Sequence, residues 1–189
     1  MKKQPTREKL LDITFEEVYK NGYSATSIDS ILKIATVPKG SMYHHFKSKK
    51  ELVLAMVNER LFPKMDEFFI FEIKDKKSVK ESLRDTYSAM AKNRKLITYG
   101  CPLYRLMVEL SPVDSDFDKL LSSKVIQMQN SLASMLQIGL DRGEFSNIEP
   151  IEMAKFILNA TWGLLSLSPN LSSKKEFLKQ SKIILQNLR

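Results

Sequence analysis

Two adjacent histidines, His44 and His45, lie in a stretch from Lys33 to Lys50 that carries five lysines and no acid. Cationic donors at that density neutralise phosphates, and the imidazoles and the Tyr43 phenol beside them are suited to base edges. The chemistry on offer is recognition of a polyanion, nucleic acid or an anionic membrane surface, while charge alone slightly favours a plain solvated face. Metal chemistry does not fit, because two histidines and a single cysteine, Cys101, do not make a convincing zinc ligand set. Nucleophilic catalysis does not fit either. No Ser/His/Asp order stands in a suitable context and no glycine-rich loop could cradle a phosphate, so the chain reads as a non-enzyme without metal or cofactor. Cys101 is the other reactive group. It opens the run Gly100-Cys101-Pro102-Leu103-Tyr104-Arg105, where a helix start and Arg105 one turn on would favour a thiolate. That makes it a candidate redox or electrophile sensor, set against the ordinary role of a free cysteine as a small buried hydrophobe.

The whole chain is consistent with these local signals. Its 189 residues suffice for one domain, or one core with an appendage. The formal net charge is +8, and residues 1–50 contribute ten Lys/Arg against five Asp/Glu. A hydrophobic share of 43% excludes a disordered polyelectrolyte. No apolar run approaches the roughly 20 residues of a membrane span, and the basic start, Met1-Lys2-Lys3-Gln4-Pro5, leads into no signal-like apolar stretch. One thiol allows no intrachain disulfide and suits a reducing compartment. The expectation is a cytoplasmic protein with no membrane partner.

The elements that must position these groups read at helical period nearly throughout. Thr6 is placed to cap a first helix, whose stripe runs from Leu10 to Tyr19 and stops at Asn21-Gly22. Thr26-Ser27-Ile28-Asp29 has the form of a capping box opening a second short helix to about Ile34. Ala35-Thr36-Val37 is a tight turn, and Pro38 suits the first position of a third helix through His44. Ser48-Lys49-Lys50-Glu51 opens a long fourth helix, to about residue 71 and bent at Pro63. Further helices are expected from about Lys77 to Asn93, from Pro102 to before Ser111, from a Ser115 cap to near Arg142, from Pro150 to Ser168-Pro169, and from a Ser173 cap to the end. The sum is an all-α protein of about nine helices.

Two short helices joined by a three-residue turn, the second lysine-flanked, describe a helix-turn-helix. Met42 and Phe46 point inward as anchors while Lys39, Gly40, Tyr43 and His44 face out, with Gly40 leaving room for close approach to bases. Lys47, Lys49 and Lys50 follow beside a helix N-terminus, a setting suited to a phosphate. The run from Thr26 to Ile31, with Ala35-Thr36-Val37-Pro38-Lys39-Gly40-Ser41-Met42-Tyr43-His44-His45-Phe46-Lys47-Ser48-Lys49-Lys50-Glu51-Leu52 and the Gly22-Tyr23 step, resembles the N-terminal DNA-binding domain of TetR-family transcriptional regulators over about residues 6–55. Thr36 departs from the family's usual glycine in the turn, and a β-branched residue with positive φ is strained.

The resemblance implies more than spacing does. It implies a helix-turn-helix head over residues 1–48, braced by a fourth helix over about 49–71, and a ligand-binding and dimerisation body within 49–189. It implies a homodimer on a palindromic double-stranded operator, released by a small apolar or electrophilic effector. By position, Lys39, Gly40, Tyr43 and His44 become base-proximal candidates, and Ser27, Ser41, Tyr43, His45, Lys47 and Lys49 phosphate candidates, with His45 equally suited to packing. The last two helices would dimerise, with Leu158, Trp162, Leu165, Phe177, Ile184 and Leu188 as interface candidates, though a single-chain core could absorb the same apolar width. Phe62, Met65, Phe69, Tyr87, Met90, Cys101, Tyr104, Met107, Met128 and Trp162 are pocket candidates, with plain core packing as the alternative for each. The Gly-Cys start at Cys101, with Met107-Val108-Glu109-Leu110 closing the same segment, resembles a subgroup that includes regulators of electrophile-stress enzymes. Two other functional readings stay open: a helical small-molecule carrier that does not bind DNA, and an activator of the same fold.

Overall fold

A computed structural model describes residues 5–69, 71, 73, 77–167 and 173–189. Among them the regular structure is entirely helical. The head is α1 (Thr6–Asn21), α2 (Ile28–Ala35) and α3 (Lys39–His45). A rod follows, made of α4 (Lys49–Met56), a π-turn (Val57–Leu61) and α5 (Phe62–Phe69). The body is α6 (Val79–Lys92), α7 (Arg94–Tyr99), α8 (Pro102–Leu110), α9 (Ser115–Asp141), α10 (Pro150–Leu165) and α11 (Lys174–Leu185). Each helix expected from the sequence is present, and α7 is additional: six residues between Asn93 and Gly100, too short to announce itself by periodicity.

The head folds around Leu10, Leu11, Phe15, Ile31, Met42, Phe46 and Leu52, all buried. Its punctuation differs from expectation at several points. Thr6 is the first helical residue rather than a cap, and Pro5 stands before it without a side-chain bond. Thr26 is buried, with its hydroxyl donating to Gly22 O at 2.7 Å, so the capping box opening α2 is made by Ser27 and Ser30. Pro38 is the N-cap of α3, one residue ahead of the expected position. At the start of α9 the cap is Asp114, which accepts from Asp116 N and Phe117 N and holds the place expected of Ser115. The Ser168-Pro169 stop lies outside the described residues, and α10 ends at Leu165.

Thr36 takes the left-handed conformation, φ 51°, ψ 44°. For a β-branched residue this costs on the order of 1–2 kcal/mol. The turn offsets it by closing α2 from both sides, with Thr36 N donating to Lys33 O at 3.3 Å and Val37 N reaching back to Leu32 O at 3.2 Å. Lys9 Nζ also reaches the Thr36 hydroxyl at 3.4 Å.

The rod passes from head to body, and α4 packs on α1 while α5 packs on α9 and α6. Its π-turn follows from Pro63, which has no N–H for the Glu59 carbonyl. Arg60 Nη1 takes that carbonyl instead, at 3.0 Å, while Phe62 N reaches Val57 O. The same turn clamps α1 electrostatically. Arg7 Nη1 meets Glu59 at 2.7 Å, and Arg60 binds Asp12 at 2.5 Å and also Glu8.

Candidate nucleic-acid interface

The third helix is presented outward by two anchors. Met42 is fully buried and Phe46 nearly so, and the Arg7 guanidinium covers the Phe46 ring at 5.4 Å. The opposite face is free. Lys39, Gly40, Tyr43 and His44 are exposed, as the sequence predicts, and a Cβ built on Gly40 would meet nothing within 4 Å. Lys39 Nζ lies 3.6 Å from Asp29 across open solvent, a contact too weak to hold it from a phosphate. On α2, Lys33 and Ile34 are also exposed, Ile34 at 51%. Ile34 was missed in the sequence because it reads there as one more apolar helical residue.

The phosphate candidates divide. Ser27 is exposed and accepts from Ser30 N at 3.0 Å, which leaves its hydroxyl proton available. Ser41 and His45 are half-buried, and the His45 ring packs between His44 at 5.2 Å and Phe46 at 6.4 Å. Lys47 is exposed, with its ammonium unpaired among the described residues, while its backbone N–H donates to Glu51 at 2.8 Å. Lys49 is corrected: its ammonium donates to Tyr23 O at 2.6 Å and stands over the Tyr23 ring at 4.2 Å, and burial lowers its pKa. Lys50 is likewise committed, to Asp114 at 2.8 Å and Asp116 at 2.7 Å. Two of the three lysines expected to face a phosphate instead tie α4 to neighbouring elements.

Those ties belong to a polar junction between head and body. Glu109 of α8 accepts Tyr23 N at 2.9 Å and Ser24 N at 2.7 Å. Burial pushes its pKa up, but these N–H donors hold the carboxylate below the usual range. Arg105, one turn earlier, donates through Nη1 to Tyr19 O at 2.8 Å and Tyr99 O at 3.1 Å. Tyr19 in turn donates its hydroxyl to Gly100 O at 2.8 Å, and Lys95 pairs with Glu16. Apart from Arg105 and Tyr99, the partners in these contacts lie about 80 residues apart in sequence, so no local pattern signals them.

Cys101 is fully buried, 3.9 Å from Met65 Sδ, and burial pushes its thiol up to about 11. Arg105 is engaged with carbonyls and does not stand by as a thiolate partner. The activated-thiolate reading is corrected, because the cost of desolvation outweighs the helix N-terminus.

The other pocket candidates are largely core. Met65, Phe69, Tyr87, Met90, Met128 and Trp162 are buried, and Phe62, Tyr104 and Met107 are half-buried. The space bordered by Phe69, Tyr87 and Met90 is about 10 Å³, room for at most one water, and Tyr87 there bonds Thr161 at 2.8 Å. An open groove of about 550 Å³ lies elsewhere, between Lys20 of α1, α7, Tyr104 and Val108 of α8, and Leu167 beyond α10.

The dimer candidates are corrected too. Leu158, Trp162, Leu165, Phe177, Ile184 and Leu188 are buried inside this chain. The apolar surface left open on the last two helices is Phe156 at 46%, Ile183 at 48% and the bare Gly163. The sequence stripe picked the more apolar side, which is the side a chain buries in itself.

Comparison with known proteins agrees with this geometry. Residues 10–56 match the model of bacterial regulatory proteins of the tetR family. An uncharacterised HTH-type transcriptional regulator from the lacX 3' region of Lactococcus lactis is 36% identical over 135 residues, covering 69% of this chain and 68% of that protein. The HTH-type transcriptional regulator QacR of Staphylococcus aureus is 40% identical over 52 residues, 28% of each chain. Among solved structures, a TetR regulator from Chloroflexus aurantiacus superposes with a TM-score of 0.83 at 20% identity, over 96% of this chain and 92% of that one. Reduced NemR of Escherichia coli superposes with a TM-score of 0.79 at 22% identity, over 97% of both chains.

Proposed function

Since the chain belongs to the TetR family of DNA-binding transcriptional regulators, we propose that it acts in the cytoplasm as a homodimeric repressor, binding a palindromic operator and leaving it when a small molecule reaches the body. The observation that carries this is the outer face of α3. Lys39, Gly40, Tyr43 and His44 are exposed over the fixed anchors Met42 and Phe46, with no side chain at Gly40 to hold the helix away from base edges. Lys33, Lys47 and the Ser27 hydroxyl stand beside that face as positioning donors for phosphates. The open face of Phe156, Gly163 and Ile183 would pair two copies about a two-fold axis, setting the two α3 helices about one DNA turn, roughly 34 Å, apart.

The test is to capture genomic fragments from the source organism on purified protein, sequence them, and measure binding of the recovered site against salt. The expected result is a palindrome bound with a steep salt dependence, about −0.9 in log–log slope for each phosphate neutralised. A protein that recovers no recurring sequence, and whose weak DNA binding is indifferent to salt, is not a repressor of this kind and would be a small-molecule carrier.

A further inference from the structure

We infer that the groove between α1, α7, α8 and the end of α10 binds a small amphipathic carboxylate, and that Arg105 is its receptor. The inference deepens the reading above: it says where the effector of such a regulator binds and of what class it is. The groove's volume of about 550 Å³ falls among ordinary ligand sites, roughly 300–1,000 Å³, whereas the interior space beside Tyr87 and Met90 does not.

The polar groups of the groove select the ligand. Arg105 spends only Nη1, on the carbonyls of Tyr19 and Tyr99, and its Nε and Nη2 have no partner among the described residues. Lys20 lines the same groove with an ammonium that is paired with nothing among those residues. The one acid there, Glu109, has both oxygens committed to Tyr23 N and Ser24 N. The charged groups left open are therefore cationic donors, and a guanidinium edge matches a carboxylate in two parallel bonds. The rest of the wall is uncharged, with Thr98, Ser166 and the rings of Tyr99 and Tyr104 beside aliphatic side chains. Val108 is 61% exposed and Leu167 43%, and Tyr104 is backed by Trp162, stacked at 5.5 Å between centroids. A charged end and an apolar body are both provided for.

Occupancy would act on the head through the same arginine. Tyr19 O is a last-turn carbonyl of α1, and Arg105 is its cap from α8. A carboxylate that draws the guanidinium into the groove competes with that cap. Glu109, one turn along the same helix, holds the α1–α2 loop and would move with it.

Three probes that share one apolar body separate the possibilities: 4-phenylbutanoate, 4-phenyl-1-butanol and 4-phenylbutylamine, titrated into the full-length protein without DNA. Trp162 is the chain's one tryptophan, and its stacking on Tyr104 makes its emission the readout. The expected result is a saturable change with the carboxylate, at least about tenfold weaker with the alcohol and weaker still with the amine. Arg105→Gln should lose about tenfold in carboxylate affinity, and Val108→Asp, at an exposed position that does not threaten folding, should lose at least as much. Equal binding of carboxylate and alcohol overturns the proposal, as does unchanged affinity in Val108→Asp or no saturable response, the result if a partner subunit fills the groove. Because operator binding is measured separately, loss of this site leaves the regulator reading intact, and loss of operator binding leaves the site intact.

Discussion

Glu109 holds the backbone of Tyr23: the carboxylate of α8 accepts the N–H of the loop between α1 and α2 at 2.9 Å, and the neighbouring Ser24 N–H at 2.7 Å. A Cβ on Gly22 would stand 3.1 Å from the same carboxylate, so the loop is drawn close around it. The contact joins an element of the body directly to the segment that leads into the helix-turn-helix. From the other side Lys49 fixes the Tyr23 carbonyl, so both polar groups of one loop residue are held by side chains from different helices.

Removing the charge at Glu109 tests this tie. Glu109→Gln should lower stability by about 1–2 kcal/mol, since bonds to a charged acceptor are worth more than those to an amide, with part of that lost to solvent screening. The pH dependence has a definite sign. The folded pKa of Glu109 is depressed, so its stabilisation is complete above the unfolded carboxylate value and is lost as pH falls through the folded value. Melting temperatures of wild type and variant should therefore keep a constant gap from pH 7 to about pH 5 and converge only as pH falls from there to about pH 2. A gap that persists unchanged down to about pH 2 would mean that the carboxylate is not the group that matters.

Gly40 separates folding from recognition. Nothing lies within 4 Å of a Cβ there, and its φ is ordinary, so Gly40→Ala should fold and gain about 0.5 kcal/mol from helix propensity. On DNA the added methyl group would stand between α3 and base edges, and operator affinity should fall about tenfold or more. Thermal melts and operator titrations on the same preparation give both numbers. Undiminished affinity would place α3 away from the groove floor.

Lys47 and Lys49 look equivalent in sequence and should behave differently. Lys47→Ala should leave the melting temperature within about a degree and reduce the salt slope of operator binding by about 0.9. Lys49→Ala should cost about 1 kcal/mol in stability and leave that slope nearly unchanged, because the Lys49 ammonium is occupied by Tyr23. Equal slopes lost by both variants would contradict the arrangement.

The Cys101 thiol should be inert in the folded protein. Burial pushes its pKa to about 11, leaving a negligible thiolate fraction at neutral pH, and the sulfur is shielded from reagent. Ellman's reagent at pH 8 should label less than a tenth of the protein in an hour natively and one thiol per chain in denaturant. Rapid native labelling would restore the sensor reading that the sequence suggests.

What was legible in the sequence follows from the range of the physics. The helix-turn-helix is set by short-range features: anchors at Met42 and Phe46, Pro38 before α3, Ser48 at the α4 cap, and turn residues within a few positions of one another. Its exposed face was readable for the same reason. Lys49, Lys50 and Cys101 were misread because their partners, Tyr23, Asp114 and Met65, are brought in by tertiary packing from 26, 64 and 36 residues away. Apolar periodicity found the buried stripe of α10 and α11 and, for that reason, named the core where it sought the interface. An interface is the weaker stripe left over once the core is satisfied, and only burial distinguishes the two.

That distinction gives a pair of opposed expectations for assembly. Phe156 and Ile183 are about half exposed on α10 and α11, and Gly163, also on α10, has no neighbour within 4 Å of where a Cβ would stand, which suits close approach of a second copy. Phe156→Glu or Ile183→Glu should leave the helical circular dichroism signal unchanged and shift the protein from dimer to monomer in sedimentation velocity at micromolar concentration, because a desolvated charge on each side of a two-fold contact is repeated against its own copy. Leu158→Ala and Leu188→Ala should do the reverse: each empties part of the chain's own core at a cost of about 2–5 kcal/mol, while the folded fraction remains dimeric. If the glutamate variants sediment as dimers, the pairing surface lies elsewhere, and the two α3 helices would then present a different spacing to DNA.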